Sequence, residues 1–232
     1  MGVVKVKDKE VVIPGQLLAE GMDFVPTGEA YREDDKIYSK RLGLVEINKR
    51  VIKVIPLSGA YVPREGDTVI GVVTDILVSG WRVDLGCAYD AVLPIKDAVN
   101  EFVKRGDDLT KYLDIGDVIF AKISRVTSQM LVDLTLKDRG LTRLIGGRII
   151  KFPPVKVPRV IGKNASMITM LKKSTECKIY VGRNGYIWID GKPNQELLLT
   201  KAIKIINEMA HTSGLTDRIK EFLEKETGQK LR

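Results

Sequence analysis

PRVIGKNASMI, residues 158–168, places two small residues, Gly162 and Ala165, between two apolar stretches, with Lys163 and Asn164 between them. The pattern predicts two helical segments joined by a four-residue loop. The first amides of a helix have no intrahelical partner and point out of its start, where they attract anions. A loop without bulky side chains lets a phosphodiester backbone come close to them, and Lys163 adds positive charge. The stretch therefore reads as a site for a phosphate.

The surrounding sequence supplies a frame for that loop. Downstream, Ser166, Met167, Met170 and Leu171 recur at helical spacing and define one buried face. Residues 178–181 and 186–189 are apolar strands on either side of Gly182-Arg183-Asn184-Gly185, and an Asn-Gly pair between strands is a strong hairpin signal. Asn194 to Ala210 is an amphipathic helix with Leu198, Ala202, Ile205, Ile206 and Met209 near one side, and Thr216 to Glu226 is a further helix. Upstream, Ile149 to Val157 is extended and interrupted by Pro153-Pro154. The order strand, helix, loop, helix, strand, strand, helix resembles a type I (eukaryotic-type) KH domain, whose Gly-x-x-Gly loop grips single-stranded nucleic acid by its backbone. The resemblance implies that Gly162, Lys163, Asn164 and Ala165 form the grip, that Arg159 and Lys172 add charge, and that Ile179 or Val181 lies near an apolar floor for the bases. The fourth loop position is Ala165 instead of glycine; its methyl group restricts backbone approach and removes glycine's freedom at positive φ. The alternative role for this fold is a packing scaffold.

Further upstream, residues 62–138 carry a β rhythm: 68–73, 81–85, 88–93, 117–126 and 130–136 are five short strands, with room for a helical turn between Asp97 and Tyr112. Five such strands with one longer excursion suggest a closed OB barrel. The words EGDTVIGVV, SGWRVDLGCAYDAVLP and IGDVIFAKI resemble the OB domain repeated in the ribosomal S-one protein. In that family aromatics on the second and third strands stack bases, and basic side chains around them meet phosphates. Here Arg82 occupies the usual aromatic position with Trp81 one place earlier, and the second aromatic position falls near Leu93 and Pro94. By resemblance, Arg82, Lys96, Lys122 and Arg125 offer phosphate contacts and Tyr89 a stacking surface; Trp81 either joins that surface or packs against the neighbouring domain. The segment DRGLTRLIGG, residues 138–147, reads as a hinge.

The N-terminal stretch, residues 10–60, consists of short β-branched runs broken by Gly and Pro, which predicts a small β unit with turns at Pro14-Gly15 and Ser58-Gly59. Glu33-Asp34-Asp35 reads as a solvated loop, not a metal or acid–base cluster. The formal net charge of +8 is unevenly spread: residues 62–138 carry 9 basic and 13 acidic side chains, whereas 139–232 carry 19 basic and 8 acidic. A basic C-terminal third beside an acidic middle suggests a polyanionic partner for that third. No apolar run approaches the roughly 20 residues of a membrane span, and the N-terminus lacks the apolar core of a signal peptide, so a cytoplasmic protein without a membrane partner is expected. Cys87 and Cys177 stand far apart, which supports neither a disulfide framework nor a zinc site. No Walker-type loop, His-Glu-x-x-His motif or carboxylate spacing of a two-metal nuclease is present, so no catalytic residue, metal or cofactor is expected. The lone His211 reads as a helix-end residue.

Taken together, VVIPG, VIPLSGAYVPREGD, the OB words and VIGKNASMI resemble, in that order, the KH-bearing RNA-binding cap subunit of the archaeal exosome. The expected fold is multidomain, mainly β plus α+β: a small N-terminal β domain that docks on the ring (1–61), a five-stranded OB barrel of the ribosomal S-one type (62–138), and a KH domain with an extra C-terminal helix (148–232). The resemblance implies a non-catalytic subunit, three copies of which sit beside other cap subunits on a six-membered phosphorolytic ring. It implies that they bind single-stranded RNA and guide its 3′ end into the ring for degradation and processing. The competing class is an enzyme, since phosphorolytic polynucleotide enzymes also carry KH and OB domains, but in the opposite order and after long catalytic domains for which this sequence has no room; the alternative that remains is a free-standing translation- or ribosome-associated RNA-binding protein.

Overall fold

β-Branched runs of two to six residues, each stopped by Gly, Pro or a polar pair, build the N-terminal part. The computed structural model describes residues 2–99, 101, 103–104, 107–210 and 214–228; His211 lies outside them. The chain divides into two compact units, Met1–Gly59 and Ala60–Arg232. In the first unit, β1 (Val3–Val4), β3 (Leu17–Glu20), β5 (Ala30–Glu33) and β6 (Lys36–Ser39) form one four-stranded sheet. β2 (Val11–Val12), β4 (Val25–Gly28), β7 (Gly43–Asn48) and β8 (Val51–Pro56) form another. Alternation along these strands sends Val12, Leu18, Ile37, Val45, Ile52 and Val54 into a core of the unit's own. Glu33-Asp34-Asp35 ends β5 and turns into β6, as expected of a polar turn.

In the second unit, β9 (Thr68–Leu77), β10 (Gly80–Asp84), β11 (Asp90–Pro94), β12 (Val118–Val126) and β13 (Val132–Thr135) form the barrel. β13 closes it by pairing parallel to β11 and antiparallel to β12. The excursion between β11 and β12 holds a short helix, α1 (Ile95–Ala98), and a 3-10 turn at Leu109–Lys111. Inward positions fill the interior with Val69, Val73, Val83, Leu93, Ile119 and Leu134. Trp81 shares the parity of Val83 on β10 and is fully buried among them, its indole N–H donating to the Leu113 carbonyl at 2.8 Å. It therefore has no surface to offer a base, and it packs inside its own barrel and not against a neighbouring domain.

The expected hinge at 138–147 is instead built into the sheet. β14 (Thr142–Leu144) pairs with the first residues of β12, Leu144 is buried, and the Arg143 guanidinium meets the Asp117 carboxylate at 2.7 Å.

The remaining elements follow the expected order: β15 (Arg148–Lys151), α2 (Val157–Ile161), α3 (Ser166–Thr175), β16 (Lys178–Val181), β17 (Tyr186–Asp190), α4 (Pro193–Met209) and α5 (Leu215–Thr227). β17 lies between β15 and β16 in an antiparallel sheet. One face of this sheet presents Ile179, Val181, Ile187 and Ile189 to the helices. On α4 the fully buried stripe is Leu199, Ala202, Ile203 and Ile206, while Leu198, Ile205 and Met209 are half-buried at its margin. The other face of the sheet packs on the barrel, with Trp188 buried against Ile70 and Leu144 and with Phe120 and Tyr180 beside them. Two physical layers, helices and barrel, thus sandwich the KH sheet and hold the loop at 162–165 on a supported frame.

Candidate nucleic-acid interface

The loop between α2 and α3 owes its shape to three consecutive conformational demands. Gly162 ends α2 at φ 75° and ψ 171°, with its N–H donating to the Pro158 carbonyl at 2.9 Å. A Cβ at Gly162 would stand 2.7 Å from the Met167 amide nitrogen and 2.8 Å from Met167 Cβ, so glycine is required by space as well as by φ. Asn164 and Ala165 then both turn left-handed, at φ 52° and 60°. Ala165 thus adopts the backbone that glycine would have supplied, at the cost of strain of about 1–2 kcal/mol for a Cβ in that region. No side chain caps α3, and its first amide, that of Ser166, donates back to the Lys163 carbonyl.

Cations lie along α2, the loop and α3, with Lys172 and Lys173 in the last turn of α3. Arg159 on α2, Lys163 in the loop, and Lys172 and Lys173 on α3 are all exposed, and no carboxylate pairs with any of them among the described residues. Lys172 reaches over the ring of Tyr180, 5.8 Å from its centroid. Ile161, Ile168 and Met170 are half-buried beside them, whereas Ile179 and Val181, expected at the floor, are 1% and 8% exposed and belong to the core. Neither Ile179 nor Val181 is therefore open to a base.

The barrel presents a different surface. Registers across five strands align Asp75, Arg82, Val92, Asp133 and Arg125 in one row. Arg82 lies 4.0 Å from the Asp75 carboxylate, and Arg125 stands opposite Asp133. Arg82 and Arg125 are exposed as expected, but the row alternates in sign and contains no aromatic ring. Tyr89 is 37% exposed at the edge, Lys96 is exposed on α1, and Lys122 is engaged with Asp138 at 2.7 Å.

The fold thus brings Arg159, Gly162, Lys163, Asn164 and Ala165 together at the α2–α3 turn, places Lys172 in the last turn of α3 over Tyr180, and leaves Arg82, Tyr89, Lys96, Lys122 and Arg125 distributed over the barrel. Sequence reasoning passed over Lys173, although Lys172-Lys173 is legible as a basic pair. Burial pushes the Cys87 and Cys177 thiols above the ordinary cysteine value. Among the described residues no group of three or more His, Cys, Asp or Glu is placed to hold a metal ion. No described helix is long and apolar enough to cross a membrane.

A closed barrel of the OB type joined to a βααββα fold with an open, cationic loop defines the class: an OB–KH protein with a nucleic-acid-binding surface. Comparison with known families agrees part by part. Residues 9–58 match the exosome RNA binding protein RRP4 N-terminal domain, 61–141 the S1 domain of exosome complex component RRP40, and 147–195 a KH domain. The exosome complex component Rrp4 of Methanothermus fervidus is 44% identical over 218 residues, covering 94% of this chain and 96% of that relative. That of Thermococcus kodakarensis is 45% identical, covering 96% and 88%. A crystal structure assigned to an exosome complex RNA-binding protein matches 72% of this chain and 97% of its own, with 41% identity and a TM-score of 0.65. The chain belongs to the Rrp4 family.

Proposed function

We propose that this chain is a non-catalytic RNA-binding cap subunit of an exosome, with three copies seated on a six-membered phosphorolytic ring in the cytoplasm beside other cap subunits. It holds single-stranded RNA and passes the 3′ end into the ring. The observation that supports this reading is the 162–165 loop with its flanking helices: four exposed cations, Arg159, Lys163, Lys172 and Lys173, have no carboxylate partner among the described residues and offer positive charge to a phosphodiester chain. The balanced barrel face supports a secondary contact through Arg82 and Arg125, in which backbone charge and not base stacking is the attraction.

The first unit supplies a docking face. Val11, Leu44 and Ile55 stand in register across β2, β7 and β8, and Ile13, Leu42 and Leu57 extend the patch, with Ile13 61% exposed. A contiguous apolar patch of this kind marks a protein interface, and the ring is its proposed occupant.

The test is reconstitution with ring subunits followed by sizing, together with RNA binding by the purified chain. Co-elution with the ring, RNA binding, and no phosphate-dependent RNA loss by the chain alone are expected. A chain that stays monomeric beside the ring would favour the free-standing alternative, and phosphorolysis by the chain itself would overturn the non-catalytic assignment. Lys163→Glu with Asn164→Asp is expected to weaken RNA binding and to lower the salt slope by about one for each phosphate the loop ceases to neutralise. Unchanged affinity in the folded variant would move the grip to the barrel.

A further inference from the structure

One rim of the barrel holds a cavity built around a turn of unusual composition. The β9–β10 connection is two residues long, Val78-Ser79, and its ends meet where Leu77 stands opposite Gly80. Gly, Asn and Asp are the residues that such turns favour, and a β-branched side chain is poorly suited to them. Val78 nevertheless occupies the tip and is 81% exposed. The Ile95 N–H donates to the Ser79 carbonyl at 3.0 Å, which pins the turn to the end of β11. A Cβ on Gly80 would collide with the Leu93 carbonyl oxygen, so the two segments touch backbone to backbone.

Between this turn and the excursion after β11 lies a cavity of about 540 Å³, within the range of small-ligand sites. Val78, Pro94, Ile95 and Val103 supply its apolar lining, and the exposed Lys96 and Lys104 stand beside them. Ile95 and Val103 also pack against the barrel core, which holds the lining in place. No carboxylate lines the cavity, and neither lysine ammonium has a carboxylate partner among the described residues. The Asp107 carboxylate is taken up by the Lys104 backbone N–H at 2.8 Å. Along β10 and β11 the cross-strand pairs run Arg82–Val92, Trp81–Leu93 and Gly80–Pro94. Pro94 thus shares the outward parity of Val92 and Arg82 and sits two residues, about 7 Å, along the strand from their row.

We infer that this cavity seats one unstacked nucleobase of single-stranded RNA, with the phosphates on either side of that base meeting Lys96, Lys104 and, along the strand, Arg82. This rests on the RNA-binding reading above. The chemistry of the lining selects the occupant. An apolar protein side chain would use the hollow alone, whereas an apolar hollow flanked by two unpaired cations matches a ligand with a flat, weakly polar centre and anionic flanks. A splayed-out base leaves water for aliphatic surface here, in a barrel whose one tryptophan is buried and whose outward row has no ring. The seat also gives the turn-tip valine a role that the fold does not require of it.

The experiment titrates the full chain, wild type and Val78→Asp, with an oligo-uridine of about 10 nucleotides and with a ribose-phosphate oligomer of equal length that carries no bases. An iodouridine-containing form of the first oligomer is photo-crosslinked to the wild type, and the attached residues are read by mass spectrometry. Expected are crosslinks at Val78, Ile95 or Val103, and a loss of about tenfold for oligo-uridine in Val78→Asp. The base-free oligomer should lose much less, because it feels the new carboxylate only as charge. Equal losses for the two oligomers would reduce the effect to phosphate repulsion, unchanged oligo-uridine affinity would empty the cavity of RNA, and crosslinks confined to other residues would put the base elsewhere. Each of these overturns the seat and leaves the RNA reading standing. The crosslinks need no variant, so the test stays decisive if Val78→Asp does not fold. Methyl resonances of Val78 and Val103 that shift with ring subunits alone and not with RNA would make the cavity a protein contact and overturn the proposal as well. Failure of the wild-type chain to bind either oligomer would overturn the RNA reading and the seat together.

Discussion

Ala165 and Gly162 occupy the two ends of the same grip, yet their substitutions should move in opposite directions. At Gly162 a methyl group meets the Met167 backbone and a disallowed φ together, so Gly162→Ala is expected to destabilise the fold by about 1–3 kcal/mol and to weaken RNA binding. At Ala165 the left-handed strain is already present, so Ala165→Gly should raise stability by up to about 1 kcal/mol and tighten RNA binding through closer backbone approach. Denaturant midpoints and oligonucleotide titrations check both. The loop was legible at this scale because glycine, a lysine and an asparagine between apolar helices specify a tight turn between them. What could not be read was that Ala165 would accept the glycine conformation, since that is imposed by the α2–α3 packing on either side and not by its own preference.

Alternation within a strand decides which elements present function and which conceal it. Trp81, Val83 and Leu85 share one parity and Arg82 the other, so the inward course of Trp81 was available from the period of two. Reading Trp81 as a displaced stacking residue put resemblance ahead of that parity. Trp81→Phe, which keeps most of the volume but removes the donor to Leu113, should cost about 1–3 kcal/mol in stability while leaving RNA affinity intact. A reduced affinity in the folded variant would return Trp81 to the binding surface. β14 escaped notice for a different reason: three residues between glycines carry too little period to announce a strand, and its pairing with β12 is long-range.

Tyr61 belongs at the same scale, where the barrel begins. Burial first, and then its hydrogen bond and proximity to Asp67, raise its hydroxyl well above the ordinary tyrosine value of about 10. The unfolded chain releases that proton near pH 10 while the folded chain retains it. The contribution is therefore complete below about pH 10 and declines as pH rises beyond it. Tyr61→Phe should flatten the alkaline fall seen in unfolding midpoints between roughly pH 9 and 11.

At the scale of the whole molecule, domain order was readable because each part carries its own punctuation, whereas the union of barrel and KH sheet was not. Asn184 sits in an Asn-Gly pair, which reads fully as a hairpin turn. Its carboxamide nitrogen donates to the Ile70 and Leu85 carbonyls, 114 and 99 residues earlier in the chain, and no local pattern reports them. Hydrogen exchange should accordingly show β9, β12, β16 and β17 opening together, with protection in the barrel and the KH sheet disappearing in one cooperative step. Separate steps would mean that the interface is weaker than its hydrogen bonds and rings imply.

That interface also limits how the chain can be cut. Two separate family matches meet between residues 141 and 147. A fragment beginning at Arg148 would bare Trp188, Tyr180 and Ile149 to water and leave Asn184 without its partners. The excised piece would be sticky and the remaining barrel would lose its seal over Ile70. The barrel and the C-terminal sheet are thus, in this molecule, a single tool that cannot be taken apart without exposing the faces that join it.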